Sequence, residues 1–491
     1  MNLRIRSVLL SFILFTPCCF IRANAAHSGK GGALNEKAVL DSAIVKFHSG
    51  ELRKGLLLID SLLKAGCSSP YALYLKGECL LLSGKEETLA LIDTLRKLNN
   101  HEYAGVLDLK TELFLGDSEF PAKLKEMKEK YPANPEVELS EWLFRLDHGE
   151  FEWAKKKVDE VSDRVLFRFL PYEAFYFLAV NSDYEAAYSV IKKAMDKKLL
   201  KMTKTFLQQE ALHRLPVSTS EIYVAEIPYA ECGPYFGIEL EDTSGNKIKA
   251  SLDTGTSGRY LSIHKKLLGE KIPGGNAICI EKGIQYRYMS APSDAFIKAA
   301  SLKTPSVKDF PVLYFEGSLT SSDGVFSPFA FKDLALTVDP VNRKFTLRNE
   351  AALKKYYSEM SNKFEEINYI ERFGWIFIPC RLRGREVLMM LETGSRDVNF
   401  NSLAARKYKI PVAKSTTLWN GKEYPVTRPD LTIRIGGMDY KPEDGFVEDF
   451  VMGNNIYGLA CAGDIGPEFL RNYRFTIDPF EKKIVLERQP R

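Results

Sequence analysis

The sequence predicts a multidomain chain, an all-α helical-repeat solenoid followed by an all-β two-lobed domain. Three observations predict it. A small-residue turn recurs at a near-constant step through residues 35–212, the helical periodicity then stops at a Pro/Ser/Thr stretch, and blocks of the second half reappear 139 residues downstream. A length of 491 residues exceeds one ordinary core, and hydrophobic (45%) and charged (27%) fractions at globular levels exclude a largely disordered chain.

The chain opens with Arg4 and Arg6, an apolar run from Val8 to Phe15, a second from Cys18 to Ile21, and the small-residue site Ala23-Asn24-Ala25. This is the order of a secretory signal, so residues 1–25 are expected to be removed and the protein exported, periplasmic or secreted. The run is shorter than the ~20 residues a spanning helix needs, and no later segment is long and apolar enough, so the mature chain is expected to lack a transmembrane segment. Thr16 and Pro17 before Cys18 argue against a lipid anchor. Removing Arg4, Arg6 and Arg22 takes the formal charge from +4 to +1. With no clustered Lys and Arg to displace counterions, nucleic acid is not an expected partner. The mature chain keeps Cys67, Cys79, Cys232, Cys279, Cys380 and Cys461; their number permits disulfides without fixing a pairing.

Between 35 and 212, turns centred on 50, 84, 116, 149 and 182 are separated by 34, 32, 33 and 33 residues. Leu58-Ile59-Asp60-Ser61-Leu62 returns as Leu91-Ile92-Asp93-Thr94-Leu95, and the segment Tyr131 to Pro135 fills one loop between helices. The period, with Phe151-Glu152-Trp153-Ala154 and Tyr184-Glu185-Ala186-Ala187, resembles the tetratricopeptide repeat. The resemblance implies stacked helix pairs, which either offer a concave surface to a protein partner or pack on the next domain.

After Val217-Ser218-Thr219, short strand-like runs punctuated by Gly and Pro take over. Leu252-Asp253-Thr254-Gly255 matches Leu391-Glu392-Thr393-Gly394. Phe326-Ser327-Pro328 matches Ile465-Gly466-Pro467, and the run Leu336 to Pro340 matches Phe475 to Pro479. Each pair is 139 residues apart. Two homologous lobes, 219–350 and 365–491, are therefore expected, joined by a linking segment 351–364 whose part from Ala351 to Met360 reads as a helix.

An acidic residue placed directly after an apolar strand is costly to bury alone. Two such turns brought together by a pseudo-twofold would let Asp253 and Glu392 share a proton and hold a water, one as base and one as acid. Thr254 and Thr393 can hydrogen-bond across the junction, and Gly255 and Gly394 permit the tight turns.

On these residues the second half resembles the aspartic peptidases of the retropepsin and pepsin type, over roughly 222–488. Beside Asp253-Thr254-Gly255-Thr256-Ser257, both lobes carry the later family blocks: Asp464-Ile465-Gly466, Phe475-Thr476-Ile477-Asp478 and Ile484-Val485-Leu486 in the second, with Gly324-Val325-Phe326-Ser327, Leu336-Thr337-Val338-Asp339 and Phe345-Thr346-Leu347 in the first. The resemblance implies an acid-protease-like fold, catalytic Asp253 and Glu392, supporting turns Thr254, Gly255, Thr393 and Gly394, a peptide or protein substrate, and no cofactor. It also implies flap hairpins, with counterparts at 278–288 carrying Tyr286 and Tyr288, and at 417–425 carrying Trp419. Ser327 departs from the family's Gly and Glu392 from its second Asp. An extra methylene displaces a carboxylate by roughly 1.5 Å, and about 1 Å of misplacement can cost ~100-fold in rate. The cleft thus reads either as a peptide hydrolase or as a peptide-binding or scaffold relative that no longer cuts. The histidines show no zinc-type spacing, so no metal is expected, and neither a nucleophile elbow nor a phosphate loop is present.

Overall fold

A computed structural model describes residues 36–48, 52–150, 152–153, 156–157, 222–242, 247–255, 261–264, 277–280, 284–288, 295–296, 312–315, 322–331, 334–360, 364–372, 375–395, 397–419, 422–443, 445–447 and 461–488. A helical region is followed by a mostly β region. Among the described residues no helix is long and apolar enough to cross a membrane.

The helices are α1 (Glu36–His48), α2 (Leu52–Lys64), α3 (Pro70–Leu81), α4 (Glu87–Lys97), α5 (His101–Leu115), α6 (Phe120–Lys130) and α7 (Pro135–Asp147). Each packs on the next, and α5 also touches α3 and α7. The repeated Leu-Ile-Asp-x-Leu block falls in α2 and α4, where Ile59, Leu62, Ile92 and Leu95 are all buried, so the same helical face meets the core twice. Gly84, Gly116 and Gly149 adopt φ of +66°, +62° and +79°, the left-handed conformation that lets a chain leave a helix without a Cβ clash. Asn134 caps α7, its Oδ1 accepting from the backbone N–H of Glu136 at 2.8 Å and Val137 at 3.2 Å. Turn positions 50 and 182 and the segment Tyr184 to Ala187 lie outside the described residues.

The turns between these helices pack on the β region. Leu403 N–H and Ser402 Oγ donate to the Gly84 carbonyl at 2.9 and 3.3 Å. Ser118 N–H donates to the Glu386 carbonyl at 3.2 Å, Tyr408 Oη to Asp117 at 2.8 Å, and Lys407 Nζ to buried Glu112 at 2.7 Å. A Cβ on Gly84 would lie 2.8 Å from Asn401 Cβ, and one on Gly116 would lie 2.5 Å from Leu388 Cγ.

At the centre of the β region six strands run antiparallel in the order Phe364–Asn368, Lys483–Arg488, Tyr473–Asp478, Ala335–Asp339, Lys344–Arg348 and Val224–Cys232. The middle pair sets Thr337 opposite Thr476, hydroxyls 2.8 Å apart, and these two residues are 139 apart in the chain. Strand pairings on either side are copies of each other, which makes this contact the position of a pseudo-twofold. The turns flanking it repeat too: Arg343 and Lys482 both have positive φ, +53° and +49°.

Beyond the central sheet each half repeats one pattern. Lys247–Leu252 runs parallel to Gly324–Phe326, which is antiparallel to Leu261–His264. Arg385–Leu391 runs parallel to Gly463–Ile465, which is antiparallel to Val398–Phe400. The linking helix spans Glu350–Glu359, one residue earlier than expected at its start because Asn349 caps it, accepting from Ala352 N–H at 3.0 Å. The linking segment also ends a residue early, since Phe364 already belongs to the central sheet.

Gly116→Ala tests the docking of the helical turns. A left-handed alanine costs roughly 1–2 kcal/mol on its own, and the collision with Leu388 adds to it. Gly66, at φ +92° with nothing near its would-be Cβ, reports the backbone part alone. Urea unfolding should show Gly116→Ala losing more than Gly66→Ala; equal losses would mean that the Leu388 contact does not constrain this turn.

Candidate active site

Two strand ends build the site. Leu252 and Leu391, both fully buried, close the strands that precede Asp253 and Glu392. The backbone N–H of Asp253 donates to the Phe326 carbonyl and that of Glu392 to the Ile465 carbonyl, each at 2.9 Å. The chain must turn there, and Thr254 and Thr393 join the two turns reciprocally. Thr254 Oγ1 donates to the Leu391 carbonyl at 2.5 Å and accepts from Thr393 N–H at 3.0 Å. Thr393 Oγ1 donates to the Leu252 carbonyl at 2.8 Å and accepts from Thr254 N–H at 3.0 Å. Both threonines are fully buried, and each hydroxyl uses its donor and an acceptor lone pair on the opposite turn.

This junction brings the carboxyls together. Gly255 N–H donates to Asp253 Oδ1 at 2.9 Å and Gly394 N–H to Glu392 Oε1 at 2.8 Å, so each turn orients its own acid. The two carboxyls lie side by side: a Cβ on Gly394 would meet Glu392 Oε1 at 2.8 Å and Asp253 Oδ1 at 3.2 Å. Asp253 is buried, whereas Glu392 keeps a partly exposed face. Burial pushes the Glu392 carboxyl well above the usual carboxylate range, the charge and hydrogen bond of Asp253 add to this, then the charge of Asp464, and the Gly394 N–H opposes them.

The glutamate's extra methylene has a visible place. A Cβ on Gly394 would lie 3.2 Å from the nearest Asp253 atoms, but one on Gly255 would lie 1.6 Å from Glu392 Oε2. Glu392 therefore reaches across the pseudo-twofold into space that only a glycine at 255 leaves open. At Ser327 the departure from glycine is accommodated as well. Its φ is not among the positive values, its carbonyl accepts from Ala330 N–H at 3.0 Å, and its counterpart Gly466 is extended at φ −82°, so no left-handed backbone is required there.

The predicted hairpins are present as strand pairs. Ala277–Ile280 pairs with Ile284–Tyr288, and Val412–Trp419 pairs with Lys422–Pro429. The side chains of Tyr286, Tyr288 and Trp419 lie outside the described residues. Cys67, Cys79, Cys232, Cys380 and Cys461 form no disulfide with one another; the side chain of Cys279 lies outside the described residues.

Three residues beside the site went unassigned in the sequence. Asp464 Oδ1 accepts from Ser395 Oγ at 2.8 Å and Asn399 Nδ2 at 2.9 Å, and Ser395 N–H closes the Glu392 turn by donating to its carbonyl at 3.0 Å. The signal was available. The offset of 139 aligns Asp464 with Val325, a carboxyl where the other copy has an apolar residue.

No family model matches this chain, and no curated protein matches it. Among solved structures it matches the crystal structure of an aspartic proteinase from Irpex lacteus, with 13% identity, 54% of this chain and 98% of that chain covered, and a TM-score of 0.34.

The packing of Glu392 over Gly255 predicts a strong coupling. Gly255→Ala should destabilise the fold by about 1–3 kcal/mol through overpacking. Glu392→Asp, which withdraws the carboxyl by one methylene, should recover part of that loss. A double-mutant cycle by urea denaturation should give a favourable coupling of about 0.5–3 kcal/mol. Simple additivity would show that the carboxyl does not occupy this space in solution.

Proposed function

We propose that the chain is an exported peptide hydrolase of the aspartic type, acting through Asp253 and Glu392. One observation carries the reading: two carboxyls brought side by side across a pseudo-twofold by reciprocal threonine bonds at the ends of two equivalent strands. Such a pair stores one proton and one negative charge side by side, the requirement for acid and base catalysis at a single carbonyl.

In this reaction Asp253 is ionised and Glu392 protonated. A water oxygen attacks the scissile carbonyl carbon; Asp253 takes one water proton while Glu392 gives its proton to the carbonyl oxygen. The tetrahedral diol then collapses. The C–N bond breaks, the proton on Asp253 passes to the amine nitrogen, and a diol hydroxyl returns its proton to Glu392. The pair ends as it began, and the cycle draws on no further group. Extended peptides or proteins are the substrate class, and a protein partner for the helical region is proposed with it. Export rests on the charged, apolar and small-residue order of residues 1–25; mass analysis of the exported protein should find an N-terminus at Ala26, and retention of Met1 would refute cleavage.

The test is a mixed peptide library incubated with the mature protein and its Asp253→Asn, Glu392→Gln and Glu392→Asp variants between pH 4 and 7. Wild type should cut. Asp253→Asn should abolish cutting because an amide cannot accept the water proton, and Glu392→Gln should do nearly the same. Glu392→Asp should lose activity, since the site is built around the longer side chain. Cutting depends on a protonated Glu392, so it should decline as pH rises past the raised value of that carboxyl. Absence of hydrolysis in all four forms, with peptide binding that Asp253→Asn leaves intact, would replace this reading with a non-catalytic peptide-binding module.

A further inference from the structure

The repeated topology allows the surroundings of the two carboxyls to be compared position by position. In the first half, Val325 lies beside the strand leading to Asp253, opposite Ser251, and is buried. In the second half the same position, opposite Met390, is Asp464, 6% exposed. Valine in the first copy shows that the fold itself accepts an apolar side chain there. A buried carboxyl carries a desolvation cost that valine does not, and the side chains around it are arranged to meet that cost. Ser395 Oγ and Asn399 Nδ2 both donate to the same oxygen, and Asn399 Nδ2 also donates to Ser395 Oγ at 2.8 Å. Ser395 is itself part of the Glu392 turn, tied to the Glu392 carbonyl through its N–H.

We propose that Asp464 is a positioning residue for Glu392, holding the Glu392 turn through Ser395 and placing an acid on the strand beside that turn where the first half carries valine, so that the surroundings of the two carboxyls are made unequal. The proposal rests on the reading of Asp253 and Glu392 as a working pair and adds the residue that differentiates them. Asp464 acts through two separable routes. Its hydrogen bond to Ser395 fixes the turn, and its charge opposes the ionised form of Glu392, in the same direction as the charge of Asp253.

Asp397, at the entry to the strand Val398–Phe400, accepts from Tyr440 Oη at 2.6 Å and from Glu443 N–H at 2.7 Å. Among the described residues, the charged groups acting on Glu392 are Asp253 from the opposite turn and Asp464 from the strand Gly463–Ile465, and Arg259 lies outside the described residues. Arg396 lies outside the described residues.

Two variants of the full mature chain separate the routes. Asp464→Asn keeps the shape and an acceptor oxygen for Ser395 but removes the charge. Ser395→Ala keeps the charge and cuts the link to the turn. The titration of Glu392 is followed by the carboxyl carbon shift in glutamate-labelled protein, with Glu392→Gln assigning the resonance, and peptide hydrolysis is measured against pH in parallel. In Asp464→Asn, Glu392 should titrate at lower pH than in wild type, and the alkaline limb of hydrolysis should move the same way. In Ser395→Ala, the titration should stay near that of wild type while kcat falls about tenfold to ~100-fold with KM little changed, as expected of a displaced catalytic group.

An unchanged Glu392 titration in Asp464→Asn overturns the proposal, whether or not the protein cuts peptides. A lowered titration in a protein that cuts nothing upholds the role of Asp464 and refutes the hydrolase reading, so the two fail separately. If Asp464→Asn does not fold, the decision passes to Ser395→Ala: a selective loss of kcat supports positioning, and unchanged hydrolysis overturns it.

Discussion

Two threonine hydroxyls, each buried at the junction of the β halves, accept an amide hydrogen from the opposite turn and donate to a carbonyl of the opposite strand. The four bonds leave neither hydroxyl in need of water, which is what permits them to sit in a dry interface. They also decide the chemistry. Each threonine directly follows an acid, so the bonds that join the halves bring Asp253 and Glu392 into contact. Two ionised carboxyls at that separation would repel, and the junction would have to absorb the repulsion. A single shared proton would remove it, so the threonine joint by itself favours a carboxyl pair that holds one proton.

The twofold is strict where backbone atoms carry it and relaxed where side chains do. Thr337 and Thr476 meet at the centre of the six-stranded sheet, and the amides of residues 253 and 392 make the same bond at the same 2.9 Å. Around this frame the two copies diverge: Asp253 against Glu392, Val325 against Asp464, Ser327 against Gly466. All three differences sit within a few residues of the site. Main-chain pairing constrains geometry, so the side chains could become unequal without disturbing the joint.

Much of this was legible in the sequence because repetition is insensitive to detail. A constant offset of 139 predicts equivalent strands and turns, whatever the intervening loops contain. The turn spacing likewise picked out positions 84, 116 and 149, where the structure has glycines with positive φ. Asp464 was hidden by its neighbours, since a block of Asp-Ile-Gly between apolar residues reads as a strand end, and only superposition on Val325 exposes it. Packing of the helical region on the next domain was one of two readings the sequence left open, but which turns make the contact was illegible for a different reason. A glycine required for positive φ looks the same in sequence as one required for close approach, and Gly84 and Gly116 are both. Ser327 looked like a defect in the pattern, yet the extended backbone at its counterpart Gly466 makes no demand for glycine.

The docked helical turns bear on the glutamate through a continuous set of contacts. Gly84 abuts Asn401, whose backbone N–H donates to the Ala462 carbonyl at 3.1 Å and whose side chain donates to the Cys461 carbonyl at 2.7 Å. Those carbonyls open the strand that carries Asp464, and Asp464 holds Ser395 in the Glu392 turn. Glutamate has one more torsion than aspartate, and fixing a longer side chain costs more rotamer entropy. Its carboxyl is defined only if both its oxygens and its turn are held. Gly394 N–H fixes Oε1, the bare Cα of Gly255 makes room for Oε2, and Ser395 closes the turn from below. The longer acid thus sits in the half of the β region on which the turns at Gly84 and Gly116 dock, where the added constraint can be met by packing already in place.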